Sequence, residues 1–156
     1  MVELYIPQID DLWFRKLIMS DEATMSYNHA WGGTIDFPES NWADWYDRWI
    51  GKNDDSKFYR YLINEKSEFV GEIAYHFTGK EYIANVIVYA KYRNRGYGAE
   101  GLRLLCEEAK KHEIEALYDD IAIDNPSIKM FLGMGFIEEY RTKEIVMLKK
   151  LMLEVR

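Results

Sequence analysis

The 156-residue sequence predicts an α+β domain: a mixed, mostly antiparallel central sheet with helices on both faces. Three observations carry this. Strand-like runs follow one another between residues 57 and 90, joined by short polar turns, the pattern of an antiparallel meander. A strand, a glycine-rich turn, a helix and another strand then fill residues 82–123, which is one right-handed βαβ crossover. Helical stretches precede the meander and follow the crossover, so both faces of the sheet can be covered. The length fits a single domain over 1–156, and 48 % hydrophobic residues suffice for its core.

The elements follow in order. VELYI, residues 2–6, is a short strand ended by Pro7. Residues 9–28 read as helix, broken near Ser20, where Ser-Asp-Glu resembles a new helix start. HAWGGTIDFPES, 29–40, is a loop with a glycine pair and a proline, placed where Trp31, Gly32 and Gly33 can cover a site. Ser40 is the expected cap of a helix through NWADWYDRWI, whose Trp42, Trp45, Tyr46 and Trp49 share one face. That stripe suits core packing or the wall of a pocket.

KFYRYLI (57–63) and EFVGEIAYHF (68–77) alternate, and NEKS joins them as a hairpin. In the second run Phe69, Gly71, Ile73, Tyr75 and Phe77 are assigned to one face, and Val70, Glu72, Ala74 and His76 to the other. YIANVIVYA, 82–90, is the next strand. The following helix shows Leu102, Leu105, Cys106 and Ala109 on its apolar side. ALYDDIAI, 116–123, is a strand; DNPS opens a short helix over 126–133, with proline in the first turn. Strands near 136–141 and 144–152 end the chain as a hairpin. The final run, IVMLKKLMLEV, can pair within one chain or between two, as in a homodimer.

Composition narrows the function. A net charge of −7 argues against nucleic acid, which needs clustered Lys and Arg. The single cysteine, Cys106, excludes an internal disulfide and a Cys-based zinc site, and no metal is expected. One free thiol fits a reducing compartment. No apolar run serves as a signal peptide or crosses a bilayer, so the expectation is a cytoplasmic protein without a membrane partner.

The stretch RNRGYGAEGL, 93–102, spells G-x-G-x-x-G through Gly96, Gly98 and Gly101. A dinucleotide turn fits poorly. KYRNR separates the glycines from their strand, a meander precedes them, and only residues 102–156 remain for further strands. A different anion site fits better. Glycines let the main chain approach a phosphate, and the free N–H groups and dipole of the helix start point at it. Arg93 and Arg95 add positive charge, and Gly101 is read as incidental to helix composition.

Here the sequence resembles the GNAT N-acetyltransferases. Arg93-x-x-Gly96-x-Gly98 matches their pyrophosphate motif Q/R-x-x-G-x-G/A. DNPSIKMFLGMGF, 124–136, is similar to the family segment N-x-x-S/A-I-x-x-Y-x-x-x-G-F, through Ser127, Ile128, Gly135 and Phe136. The resemblance implies acetyl-CoA as cosubstrate and direct transfer of its acetyl group to a primary amine. It implies a pantetheine arm alongside Ile87, Val88 and Tyr89, and a pyrophosphate held by Arg93, Arg95, Gly96, Tyr97, Gly98 and Ala99. Further contacts are implied at Asp124, which stands where the family has Asn and has Asn125 as its neighbour and alternative, at Ser127 and at Phe131. Phe131 replaces the usual family tyrosine, the proton donor to the leaving sulfur. Tyr75, Tyr89 or Ser127 can substitute, or no side-chain acid is used. A protein that binds coenzyme A without catalysis is the second reading.

The chemistry also requires a base. A lysine-like amine, with pKa about 10.4, is neutral in roughly one molecule per thousand or fewer at pH 7, so a carboxylate must collect its proton. Asp119 and Asp120, after the cradle helix, are the leading candidates; as neighbours on a strand, at most one is expected to face the cleft. Glu72 and His76 share a strand face and are secondary candidates. Aromatic and acidic residues together suit a cationic amine as acceptor; a small molecule or a peptide can supply it.

Overall fold

The computed structural model describes residues 1–52 and 54–152. The alternating runs become seven strands: β1 (Val2–Tyr5), β2 (Lys57–Asn64), β3 (Phe69–Phe77), β4 (Tyr82–Val88), β5 (Ala116–Ala122), β6 (Ile137–Arg141) and β7 (Ile145–Leu151). They form one sheet in the order β1-β2-β3-β4-β5-β7-β6. Every neighbouring pair is antiparallel except β4 and β5. The expected α+β class and crossover are both present. β7 pairs on either side within its own chain, with β5 and with β6; the part of the final run beyond residue 152 lies outside the described residues.

The helices are α1 (Leu12–Ser20), α2 (Trp42–Tyr46), α3 (Tyr97–Lys111) and α4 (Ser127–Gly133). They bury two apolar layers. On one face Leu102, Leu105 and Ala109 of α3 and Phe131 of α4 pack with Leu62, Ile73 and Leu117 of the sheet. Cys106 is buried in this layer, and burial pushes its thiol pKa up. On the other face Leu12, Phe14 and Ile18 of α1 and Trp45 of α2 pack with Tyr59, Tyr61 and Ala74.

Several boundaries differ from the sequence reading, each for a local reason. The helix expected over 9–28 is α1 alone, preceded by a 3-10 turn at Ile9–Asp11. It stops because the Asp21 carboxylate accepts hydrogen bonds from the Thr24 amide (3.0 Å) and hydroxyl (2.5 Å), an alternative to helical bonding. Residues 26–31, partly expected as loop, form a 3-10 segment ended by Gly32 at φ 102°. The helix expected from Ser40 is α2, which follows a 3-10 turn at Glu39–Asn41 and passes into a π-helical turn at Asp47–Gly51.

Strand β4 ends at Val88 rather than Ala90, because residues 90–92 close a 3-10 turn. The alternation of β3 shifts at its start. Leu62 pairs with Gly71 and Ile63 with Phe69, so Val70 is an extra, bulged residue. Phe69 consequently packs with Phe14 and Tyr61, opposite the face of Ile73 and Tyr75.

Gly101 has a steric reason to be glycine. A Cβ there would stand 2.7 Å from Leu62 Cδ1 and 3.2 Å from Ile73 Cγ2. It lets α3 seat closely on β2 and β3, which replaces the reading of an incidental glycine.

Candidate active-site cleft

The βαβ crossover leaves an opening in the sheet. Strands β4 and β5 pair only at Tyr82–Leu117 and Ile83–Tyr118 and then diverge. A cleft of about 860 Å³ occupies the divergence, within the roughly 300–1,000 Å³ usual for small-molecule sites. Its β4 wall includes Ala84, Asn85, Val86, Ile87 and Val88. Its β5 wall includes Asp119, Asp120, Ile121 and Ala122.

One end of the cleft is the turn into α3. Arg93 is extended, Asn94 is left-handed at φ 64°, and Gly96 caps the helix at φ 84°, a conformation suited to glycine. Among the described residues, the amides of Asn94 through Ala99 donate to no backbone carbonyl. With the positive end of the helix dipole, they are suited to accept an anion. Gly96, Tyr97, Gly98 and Ala99 all line the cleft.

The two arginines are placed differently from expectation. Arg93 lines the cleft, but its guanidinium donates to the carbonyls of Ala23 (3.0 Å) and Thr24 (2.7 Å), clamping the turn after α1 to the turn before α3. Arg95 lies over the Tyr92 ring, 5.7 Å from its centroid. The described cleft wall includes neither Arg95, Tyr89 nor Asp124. Tyr89 lies past the end of β4 and packs on Phe14 and Tyr92. Asp124 bonds His29 instead (3.0 Å), and its neighbour Asn125 lines the cleft. Asn125 Oδ1 also accepts from the Ser127 amide at the start of α4.

Both Asp119 and Asp120 line the cleft, where at most one was expected. The reason is the split sheet: a cleft inside the divergence touches residues of both faces. Asp119 alternates with Leu117 and Ile121, which belong to the α3 and α4 layer. Asp120 is on the other face, where it interacts electrostatically with His76. Burial, followed by the Asp120 charge, pushes the Asp119 pKa well up. Burial also raises that of Asp120, partly offset by a main-chain hydrogen bond and by His76. The His76 ring, with Trp49 against it at 5.9 Å, is shifted down by burial and by Lys57.

Glu72 lines the cleft too, but it is not a free base. It is 1 % exposed, and Arg15 Nη1 donates to both its oxygens at 2.6 and 3.0 Å. The same guanidinium lies 4.6 Å from the Trp45 ring, 5.1 Å from Phe37 and 5.6 Å from Tyr59. Burial works against the charge of Arg15, yet Glu72 drives its pKa further up. The sequence did carry a signal for Arg15: it stands at helical spacing from Leu12, Ile18 and Met19, a charge within an apolar stripe.

The rest of the wall is aromatic. Tyr27 and Trp31, from the 26–31 segment, face the cleft, as do Trp45, Trp49 and Tyr59. Of the stripe, Trp45 and Trp49 therefore pack the core and line the site at once, while Trp42 and Tyr46 only pack. Of the hydroxyls named as substitutes for the family tyrosine, Ser127 lines the cleft; Tyr75 is buried and bonds His112. Phe131 is buried at the cleft floor with no proton to give.

The sequence profile described as "Acetyltransferase (GNAT) family" matches residues 19–136. A search of curated proteins finds no match. Solved structures agree in fold along nearly the whole chain. A GNAT-family acetyltransferase from Bacillus anthracis is 19 % identical, with TM-score 0.76, over 97 % of this chain and 95 % of that one. Spermidine N-acetyltransferase from Vibrio cholerae, in complex with CoA and spermine, is 15 % identical, with TM-score 0.78 and the same coverage. YncA from Salmonella typhimurium, with its cofactor acetyl-CoA, is 15 % identical, with TM-score 0.76, over 100 % and 96 %. The fold is thus that of an acetyltransferase, a mostly antiparallel sheet split by one parallel pair. The chain belongs to the GNAT acetyltransferase family.

Proposed function

We propose that this chain is an acetyl-CoA-dependent N-acetyltransferase that transfers the acetyl group directly to a primary amine. The observation that carries the reading is the cradle of undonated amides at the start of α3, opening on one end of a cleft whose split wall bears Asp119 and Asp120. Coenzyme A fits this cleft: the amides suit its pyrophosphate, and Gly98 sits between the cleft-lining Met130 and Val88, within ordinary contact of both for a Cβ. The YncA neighbour with acetyl-CoA supports the same ligand. When bound, acetyl-CoA supplies an activated thioester.

The chain supplies the geometry and the proton handling. Asn94 through Ala99 hold the anionic end by main-chain donors. Asp120 and His76 face the acceptor side and take the ammonium proton, directly or through water. Asp119, whose burial favours the protonated form, holds a proton at its carboxyl on the face of α3 and α4, where Phe131 offers none. Glu72 is not assigned as a base, because Arg15 takes both its oxygens.

The test is release of CoA thiol from acetyl-CoA with a panel of primary amines, with the acetylated amine identified by mass. Amine-dependent release supports the enzyme. Tight acetyl-CoA binding with no release for any amine supports the non-catalytic reading, which the missing hydroxyl at Phe131 favours.

A further inference from the structure

The acceptor half of the cleft already contains a cation. The Arg15 guanidinium lies against Trp45, Phe37 and Tyr59, at distances typical of cation–π contact. The same group takes both oxygens of Glu72, the buried carboxylate of that face. An aromatic cage with a carboxylate at its base is what a second ammonium of a long cationic substrate would seek. Here the protein's own side chain fills it.

The remaining charges leave room for one ammonium. Arg15 offsets Glu72, and Arg93 is spent on the carbonyls of Ala23 and Thr24. Asp119 stands on the opposite face of β5, which leaves Asp120 to serve a single amine beside the reacting centre. Beyond Asp120 the acceptor side offers flat, uncharged surface from Tyr27, Trp31, Trp49 and Ile87.

From this we infer that the acceptor is a primary amine carrying one positive charge on a flat, uncharged body, and that Arg15 excludes polyamines by occupying the place of their second charge. The inference rests on the acetyltransferase reading for the reaction but not for the binding preference. It separates this chain from the neighbour whose structure holds spermine, and a specificity device of this kind works by repelling the competitor.

Binding tests it independently of turnover. Calorimetry of the protein saturated with CoA would compare 2-phenylethylamine with spermidine. The expected result is at least tenfold tighter binding of 2-phenylethylamine. Equal or tighter binding of spermidine, or binding of neither amine, overturns the inference. If 2-phenylethylamine binds but no amine is acetylated, the transferase reading fails and this one stands.

Arg15→Met uncovers Glu72 and the cage, and should move the affinity ratio toward spermidine at least tenfold. Arg15→Met with Glu72→Gln removes both buried charges, so it tolerates the change better if the single variant misfolds. It should weaken the preference against spermidine without reversing it. An unchanged ratio in a folded variant overturns the role of Arg15.

Discussion

His29 Nε2 lies 3.0 Å from Asp124 Oδ1, and this bond ties together two walls of the cleft. His29 belongs to the 26–31 segment, whose Tyr27, Asn28 and Trp31 line one side; Asp124 immediately precedes Asn125, Pro126 and Ser127 on the other. Its other side-chain hydrogen bonds are local, as where Asn28 Nδ2 donates to Gly33 O at 2.6 Å, and Gly33 N donates to Asn28 O at 2.9 Å. Both partners of the bridging bond are exposed, so it adds little to global stability. Asp124→Ala should leave the melting temperature nearly unchanged while hydrogen exchange across residues 26–33 speeds up severalfold. Unchanged exchange would mean that the pair does not restrain the segment.

Proton transfer makes the second prediction. Asp120→Asn should lower kcat by about 10²–10⁴, the usual contribution of a positioned base, with little change in affinity for acetyl-CoA. The Asp120 charge raises the pKa of His76. Its removal lets that value fall, so the acid limb of the residual rate should move to lower pH. The limb belongs to the coupled pair in the native protein. A limb that stays in place in the variant would detach His76 from Asp120.

Asp119 makes a prediction about stability. Burial raises its pKa above the unfolded value of about 3.8. A raised carboxyl is no burden below the unfolded pKa and destabilises the fold increasingly as pH rises through the folded value. Asp119→Asn lacks that burden. Its melting temperature should exceed that of the native protein at pH 8, by about 2–4 °C for each kcal/mol relieved, and the gain should shrink toward pH 4. A gain independent of pH would point to packing instead.

The three glycines along α3 and β3 do different work. A Cβ at Gly98 meets Met130 Sδ at 3.4 Å and Val88 Cγ2 at 3.6 Å, both ordinary contacts, so the added methyls of a valine must compete with these two cleft-lining side chains for space. Gly98→Val should weaken acetyl-CoA binding at least about tenfold, or 1.4 kcal/mol, with a small effect on melting. Gly101→Ala should leave that affinity alone and cost about 1–3 kcal/mol through overpacking on Leu62 and Ile73. Gly71→Ala should be the most damaging, because its Cβ would collide with the main-chain oxygen of Ile87, which no rotamer change relieves. Calorimetric binding and thermal melts on the three variants separate these roles.

The sequence makes the architecture largely legible, and for local reasons. Alternation marks the meander, and the glycine turn between β4 and α3 marks the crossover and its cradle. The proposed anion site is legible because it is built from consecutive main chain. The acceptor half is not, because it is assembled from α1, the 26–31 segment, α2 and four strands that the fold brings together. Arg15 and Glu72 are far apart in sequence, and nothing local tells that one neutralises the other. The Val70 bulge is invisible to alternation alone, since Phe69 and Val70 are both apolar and either suits either face of β3. The placement of Asp119 and Asp120 fails differently: strand parity assumes an intact sheet, and here the strands diverge beside them.

Buried Cys106 has a practical consequence for following this chemistry. It is the only cysteine in the chain, 5 % exposed, and burial holds it in the unreactive thiol form. A thiol reagent added to the folded protein and a thioester therefore reports only the thiol that cleavage of the thioester releases. Once the fold opens, the same reagent gains one more target per molecule, so a single colour reaction reads turnover in the native state and unfolding as a stoichiometric step.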